Sequence, residues 1–311
     1  SALFSQPRLP LDSWQQLNQA LLASGCTIQE LNSVRRQLDA VKVGGLAQLA
    51  APASVISLIL SDVVGNDLAA IGSGPTVATV ETPADALEIL ERYHVGELLE
   101  TATSACDPSR RSGQAVTQTI QTTLKQLPTT ALPTNIIDNI IVGSIRQAAK
   151  AAVTVAQTIG FHTSLLTTQL EGEAREVGKF VAAIAKDAPL NSAIILGGET
   201  TVTLRGDGKG GRNLETALSA AISLAGWRNR VIISFATDGD DGSSGTAGAI
   251  ITGNTMKHQQ TAQQHLNNND SFTYFAALDA SETTSHLIQT GPTGTNVNDL
   301  LIILHYAGVK G

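Results

Sequence analysis

The stretch GGETTVTLRGDGKGGRNLETALSAA, residues 197–221, places four glycines, a lysine and an arginine between a strand-like run and a helix-like run. A glycine-rich turn from strand to helix is typical of α/β proteins, so the stretch indicates that fold class. Its open, charged backbone suits three roles: cradling a phosphate, binding a dinucleotide, or turning the chain. The residues around it decide among these roles.

Strands and helices alternate on both sides of this stretch, which predicts sheets covered by helices. The predicted helices are 12–25 with an Asp12–Gln15 capping box, 83–93 opened by Thr82, Pro83 and Asp85, 145–159, 172–186, 212–224, 257–266 and 281–289. The predicted strands are 54–62, which we expect to be buried, 161–166, 192–196, 200–205, 230–236 and 299–305. The polar run 186–191 separates two such sets. We therefore expect two three-layer α/β/α domains, 1–188 and 189–311, with largely parallel or mixed sheets and an interdomain cleft.

Composition excludes several classes of function. The 311 residues include 20 Lys and Arg against 27 Asp and Glu, and the longest basic run is Arg110-Arg111, so we expect no nucleic-acid partner. No apolar run approaches the roughly 20 residues of a membrane helix, so we expect no membrane partner. Cys26 and Cys106 lack CxxC spacing, which excludes a disulfide framework and favours a reducing, cytoplasmic location.

The glycines at 206–211 match the dinucleotide fingerprint GxGxxG, but the wider pattern does not. That fingerprint needs an acidic residue about 20 positions further on, where this chain has Val231. The remaining interpretation is an anion site, for a phosphate or a carboxylate, at a helix N-terminus with Lys209 and Arg212 beside it. The alternative is a surface turn with solvated cations.

Two apolar strands end in acidic loops that contain glycine. Asp62 follows the first strand and Asp238 follows the second. Ligands of open α/β sheets bind at the carboxyl ends of strands, so these two carboxylates are candidate ligands of Mg²⁺. Asp240 and Asp241 fit turns and helix caps better.

Two further loops are rich in small residues, IGSGPT at 71–76 and TGPTGTNVND at 290–299. Consecutive N–H groups and hydroxyls in such loops can form an anion nest. The six histidines lack HxxxH or HExxH spacing, which argues against a zinc site. Arg175, in the motif LEGEAREVG, fits a solvated cation near a helix start.

Five motifs together resemble the two-domain glycerate 2-kinases whose C-terminal half is called the MOFRL domain. They are, in chain order, SDVVGNDLAAIGSGPT, LEGEAREVG, GGETTVTLRGDGKGGRNLE, TDGDDGSSGTAGA and TGPTGTNVNDL. The resemblance covers nearly the whole chain. It implies an enzyme that uses ATP and Mg²⁺ to phosphorylate D-glycerate at its 2-hydroxyl, giving 2-phosphoglycerate, in a cleft between two α/β domains. Residues 1–188 would form the nucleotide-binding, Rossmann-like domain and residues 189–311 the MOFRL domain.

The loop chemistry and the resemblance together assign roles. Arg212, Asp62 and Asp238 are expected to be catalytic, with the two aspartates also binding the metal. The expected substrate-binding residues are Lys209, Arg35, Lys42, Asn213 and Asn298, and the expected nucleotide-binding residues are Ser1, Gly72, Ser73, Gly74 and Thr76. The partners are then D-glycerate and a nucleotide, and a homodimer stays open.

The chain also departs from the family pattern. Family members begin well upstream of Ser1 with a segment that carries an active-site lysine, so the N-terminal domain is expected to be incomplete. Val43 stands where a glycine is usual, Ile145 where an asparagine is usual, and Gly245 where an aspartate is usual. Two alternatives stay open: an NAD(P)H-dependent hydroxypyruvate reductase, a label that some relatives carry, and an inactive fragment or regulatory homologue.

Overall fold

The computed structural model describes residues 6–77, 81–103, 112–127, 133–256, 258–281 and 283–307. Ser1, one of the predicted nucleotide-binding residues, lies outside these ranges. The chain divides into two compact units, Ser1–Leu58 with Asp67–Ile140 and Ile59–Asn66 with Ile141–Gly311. None of the described helices combines the length and the apolar character that a membrane crossing requires.

The first unit is mainly helical in its described part. Its helices are α1 (Leu11–Ala23), α2 (Ile28–Gln37), α3 (Gly45–Ala50), α4 (Pro83–Arg92), α5 (Val95–Thr103) and α6 (Gly113–Gln126). Strands β1 (Val55–Leu60) and β2 (Ile136–Gly143) pair with each other, and the last residues of both strands belong to the second unit. The amphipathic helices bury one core, which includes Leu17, Leu31 and Ile120.

Two helix starts in this unit test the predicted caps. Helix α4 begins at the predicted residues, and these form a capping box in which the Thr82 side chain accepts from the Asp85 N–H and Asp85 accepts from the Thr82 N–H. The box predicted for α1 is wrong, because the N-cap is Pro10 and Asp12 instead accepts a hydrogen bond from Gln16 Nε2. Strand β1 forms as predicted but is not buried, since Leu58 is 70% exposed.

The second unit contains a six-stranded sheet within its described residues. The elements are α7 (Ile145–Thr158), β3 (His162–Leu170), α8 (Ala174–Asp187), β4 (Ser192–Gly198), α9 (Arg212–Leu224), β5 (Arg230–Ala236), β6 (Gly248–Thr252), α10 (Gln259–Asn267), α11 (Ser271–Ser281), β7 (Leu287–Ile288) and β8 (Asp299–His305). The strand order is β3-β4-β8-β5-β6-β7. Only β3 and β4 pair in parallel among these neighbours, so the sheet is mixed.

Helices cover both faces of this sheet because successive strand side chains point to opposite faces. In the central strand β8, Leu301 and Ile303 pack in a core with α8 and α9. Leu300, the residue before Leu301, packs on the other face in a core with Ile145 and Ala149 of α7. The α/β class and the mixed sheet are therefore as predicted, with three layers in this unit.

The compact units divide at a different place from the boundary predicted at residue 188. Strand β3 pairs with β4 from His162 to Leu170, and α8 packs against α9. These contacts join residues 141–188 to the second unit.

Two predicted elements are wrong. Residues 200–205 form no strand apart from one bridge between Glu173 and Thr201, because the N–H group of Arg205 donates to the Asn269 side chain instead. The helix predicted at 281–289 is also incorrect: α11 ends at Ser281, and β7 follows at Leu287–Ile288.

Candidate active site

Arg212, the first residue of α9, lies at the centre of a charged cluster in the second unit. Its Nε and Nη2 atoms donate to the two carboxylate oxygens of Asp299 at 2.6 and 3.0 Å. Its Nη1 atom forms an ion pair with Glu199 Oε1 at 3.0 Å. Asp299 thus binds one edge of the guanidinium in a fork, which fixes its plane and leaves the Nη1–Nη2 edge toward Glu199.

The strand register explains why Asp299 lies beside Arg212. Strand β8 runs antiparallel between β4 and β5, so its first residue meets the last residues of its two neighbours. Asp299 is paired with Gly198 on one side and with Ala236 on the other. Glu199 and Thr237 follow those two partners in sequence. The carboxyl ends of β4 and β5 and the amino end of β8 therefore form one edge of the sheet.

Asp62 and Asp238 lie close to the same cluster, as the sequence predicts. Burial raises the pKa of Glu199; Arg212 opposes that shift, and the negative charges of Asp299, Asp62 and Asp238 add to it. A charged group shifts the pKa of another group in this way only when the two are close in space. Loops that are far apart in sequence therefore bring these carboxylates together.

Carboxylates outnumber cations in this cluster, and the pKa values reflect that. Burial raises the pKa of Asp299, against the opposing effect of its hydrogen bonds to Arg212. Burial would lower the pKa of Arg212, but its hydrogen bonds and attraction to Asp299 and Glu199 raise it overall. The guanidinium therefore stays charged in a site with surplus negative charge.

The cluster borders a cavity of about 900 Å³ within the second unit. Its lining includes Glu171, Glu199, Arg212, Glu215 and Ser243, together with Thr200, Thr201, Val202, Gly208, Gly210 and Gly211. A single arginine among several acidic side chains gives this cavity one attachment point for an anionic group.

Close packing explains the glycines that precede α9. A Cβ atom on Gly206 or Gly208 would overlap the segment Asn268–Asp270, and a Cβ on Gly211 would overlap Asp241. The Gly208 N–H donates to the Asn268 carbonyl, and the Lys209 N–H donates to Asp270 Oδ1. The glycines allow main chain to approach main chain, so these N–H groups are not available to a phosphate.

The helix N-terminus that the sequence assigns to an anion is capped by the protein itself. The carboxylate of Asp241, which is 1% exposed, accepts the N–H groups of Asn213 and Leu214 at 3.0 and 2.8 Å. Asp241 is thus the helix cap that the sequence favoured. The anion interpretation now rests on the Arg212 side chain alone.

Three predicted substrate-binding residues in this unit have other contacts. Asn213 is buried and bonds to Asp241 and Ser234, so it has a structural role here. Asn298 is also buried, and its Nδ2 atom donates to Glu199 at 3.3 Å, which places it behind the cluster. The Lys209 ammonium lies 4.2 Å from the ring centre of Phe272.

The remaining predicted residues lie in the first unit, where some of them come together. The N–H groups of Val43 and Gly44, next to Lys42, donate to the carbonyls of Ser73 and Gly74. Burial lowers the pKa of Lys42, Asp39 opposes that shift, and the nearby Arg35 and Arg36 add to it. Arg35, Lys42 and the 72–76 loop are thus neighbours.

The 72–76 loop itself does not present the predicted anion nest. The N–H groups of Ser73 and Gly74 donate to the carbonyls of Ala70 and Ile71 within the loop. Thr76 is buried, and its hydroxyl donates to Asn139 Oδ1 at 2.6 Å. Any nucleotide contact by this loop would use other atoms, such as the Ser73 hydroxyl.

Among the described residues no group of three or more His, Cys, Asp or Glu side chains could hold a metal ion. Mg²⁺ usually takes one or two protein carboxylates and completes its shell with water or phosphate oxygens. Asp62 and Asp238, whose hard oxygen donors lie near Glu199, fit that donor set.

Comparison with known proteins identifies relatives along nearly the full chain. A family model for a domain of unknown function, DUF4147, matches residues 1–107, and the MOFRL family model matches residues 192–299. A D-glycerate 2-kinase from Thermotoga maritima is 40% identical over 97% of this chain and 69% of its own length. A protein from Agrobacterium vitis with a provisional hydroxypyruvate reductase name is 38% identical over 98% of this chain and 67% of its own length.

A crystal structure of glycerate kinase from Thermotoga maritima superimposes with a TM-score of 0.82 at 37% identity, over 98% of this chain and 70% of that chain. Fold and site together define an α/β enzyme of the kinase class. The chain belongs to the glycerate kinase family that contains the MOFRL domain.

Proposed function

We propose that this protein phosphorylates D-glycerate at the 2-hydroxyl, with a nucleotide as phosphoryl donor, and releases 2-phosphoglycerate. The observation that carries the proposal is the Arg212 guanidinium, which Asp299 holds on one edge, in a residue that lines the cavity together with Glu199. The Thermotoga maritima relative, which is named a D-glycerate 2-kinase, supports the choice of substrate.

Arg212 would bind the carboxylate of glycerate or the transferred phosphoryl group along its Nη1–Nη2 edge. Either anion would displace Glu199 from Nη1, while Asp299 keeps the guanidinium in its plane. Phosphoryl transfer needs the two reactants aligned and the developing charge neutralised, which a fixed guanidinium supplies. Asp62, Asp238 or the released Glu199 would then accept the hydroxyl proton.

ATP and Mg²⁺ are part of the proposal. The surplus of carboxylates around Arg212 would repel the phosphates of a nucleotide unless a cation lay between them. Asp62 and Asp238 would hold Mg²⁺, which supplies charge neutralisation at the phosphates when bound. The 72–76 loop stays the proposed nucleotide contact, and Lys42 beside it stays a proposed substrate contact. A cytoplasmic location and a homodimer stay predictions, which fractionation and gel filtration would test.

Replacing Arg212 by lysine tests the assigned role. Lysine keeps the charge but cannot form two parallel hydrogen bonds with one carboxylate. We expect Arg212→Lys to lower kcat/KM for glycerate by at least about tenfold, while Arg205→Lys, an exposed control in the preceding loop, leaves it unchanged. An unchanged value for Arg212→Lys would remove this residue from the mechanism.

The name of the Agrobacterium vitis relative keeps a reductase as the second candidate. A nicotinamide dinucleotide would need the N–H groups of the glycine loop and of the α9 N-terminus, which Asn268, Asp270 and Asp241 already accept. Two assays on the same sample separate the candidates: glycerate-dependent release of ADP from ATP, and hydroxypyruvate-dependent oxidation of NADH. Activity in the second alone would overturn the proposal, and activity in neither would favour a regulatory homologue.

A further inference from the structure

A buried ion pair lies directly beneath the glycine-rich loop. Arg175 of α8 and Glu215 of α9 have side chains that are 7% and 2% exposed, and Arg175 Nε donates to Glu215 Oε1 at 2.9 Å. Arg175 also donates through Nη2 to the carbonyl of Leu266 at the end of α10. Arg175 is thus not the solvated cation that its motif predicts, and an ion pair removed from water to this extent needs every partner in place.

Asn269 connects this pair to the loop. Its Nδ2 atom donates to the second carboxylate oxygen of Glu215 at 2.8 Å. Its Oδ1 atom accepts the N–H groups of Arg205 and Gly206 at 2.6 and 3.1 Å. The backbone of Asn269 has a φ of 52°, a conformation that asparagine adopts more readily than most residues. One side chain therefore joins two helices to the loop that leads into Arg212.

The loop that Asn269 holds forms part of the site. Gly208, Gly210 and Gly211 line the same cavity as Arg212, and Gly211 is the N-cap residue that immediately precedes it. The Lys209 main chain is fixed from the same side, by hydrogen bonds to Asp270 and Phe272. A displacement of the segment 268–272 would therefore move the cavity wall and Lys209 with it.

We propose that Asn269 is a positioning residue for the kinase reaction. Anchored by the buried Arg175–Glu215 pair, it holds loop 205–211 in the position that the bound substrate requires. The expected loss of kinase activity rests on the proposed function, whereas the expected loosening of loop 205–211 does not.

The test exchanges the donor at this contact for a repulsive group. Asn269→Asp keeps the shape and the acceptor for Arg205 and Gly206, but sets a carboxylate against Glu215. Combining Glu215→Gln with Asn269→Asp removes the repulsion, because the new amide at position 215 can donate to the new carboxylate at position 269. Asn267→Asp, an exposed residue two positions earlier, makes the same charge change and serves as the control.

We expect Asn269→Asp to speed amide hydrogen exchange in 205–211 by at least tenfold and to lower kcat/KM for glycerate by a similar factor. The double variant should regain most of both, and Asn267→Asp should change neither. If the wild type lacks glycerate kinase activity, the proposed function fails while the exchange data still decide whether Asn269 holds the loop. If Asn269→Asp does not fold, the same measurements are made on Asn269→Gly, because glycine tolerates the positive φ at this position. Wild-type exchange and wild-type kinetics in the variant would overturn the proposal.

Discussion

Asp241 is an acid whose burial changes its ionisation. Burial raises the pKa of its carboxyl from 3.8 to about 6, against the opposing hydrogen bonds from Asn213 and Leu214. Between about pH 4 and pH 6, Asp241 is therefore protonated in the folded protein but already ionised in the unfolded chain. Over that interval this residue's contribution to stability falls as the pH rises.

Asp241→Asn removes this titration and checks its sign. We expect the free energy of unfolding of the wild type, relative to this variant, to fall by roughly 2 kcal/mol between pH 4 and pH 7. Chemical denaturation at several pH values measures it. Parallel curves for the wild type and Asp241→Asn would contradict the raised pKa.

Val43 is a β-branched residue with a φ of 55°. Left-handed backbone costs an L-residue about 1–2 kcal/mol, and branching at Cβ adds to this cost. The strain lies next to Lys42, in the turn that bonds to the 72–76 loop.

Replacing Val43 by glycine should relieve that strain. We expect Val43→Gly to raise the free energy of unfolding by about 1 kcal/mol, because the relief exceeds the added flexibility of the unfolded chain. Val63→Gly, at a similarly half-buried valine without a positive φ, should lower it. Denaturant titrations compare the two, and equal losses in both variants would argue against strain at Val43.

At the scale of the element, the glycine-rich loop is a packed connection between β4 and α9. Its residues 206, 208 and 210 lie against the segment 268–271, which joins α10 to α11. The sequence pattern of glycines and charges is the same for a phosphate loop and for a tightly packed loop. The distinction depends on a segment about sixty residues later in the chain.

Gly208→Ala tests whether this packing matters. The added Cβ would overlap Asp270 and the main chain of Asn268, so we expect a loss of about 1–3 kcal/mol in stability and at least tenfold in kcat/KM. Gly226→Ala has a positive φ but open space around it, and should cost about 1 kcal/mol without changing kcat/KM. Equal kinetic effects in the two variants would show that the contact with 268–271 is irrelevant.

At the scale of the whole molecule, the two units have separate cores. Leu17 lies in the core of the first unit and Leu218 in that of the second, and both side chains are fully buried. Each core is enclosed by elements of its own unit.

Paired core substitutions test this separation. We expect Leu218→Ala to cost about 2–5 kcal/mol and to speed amide hydrogen exchange in β4, β5 and β8, while α1 and α6 keep their wild-type rates. Leu17→Ala should show the opposite distribution. Faster exchange throughout the protein in either variant would mean that the units unfold as one.

Local signals predicted much of the second unit. The bounds of β5, α9 and β8 agree with the sequence patterns, because apolar runs and a glycine stop are properties of short segments. The same reasoning made Asp62 and Asp238, which follow the carboxyl ends of two strands, candidate site residues. Glu199 ends a strand in the same way and could have been found by that rule.

Other features depend on pairing between distant segments. The sequence by itself determined the α/β class, most strand and helix positions, and the acidic loops around Arg212, since these follow from composition and periodicity. Only the tertiary structure decided that β8 runs antiparallel between β4 and β5, which brings Asp299 to Arg212, and that Asp241 and Asn269 take the N–H groups of α9 and of its preceding loop. Strand order and long-range hydrogen bonds are set by the packing of the whole unit, and no local pattern encodes them.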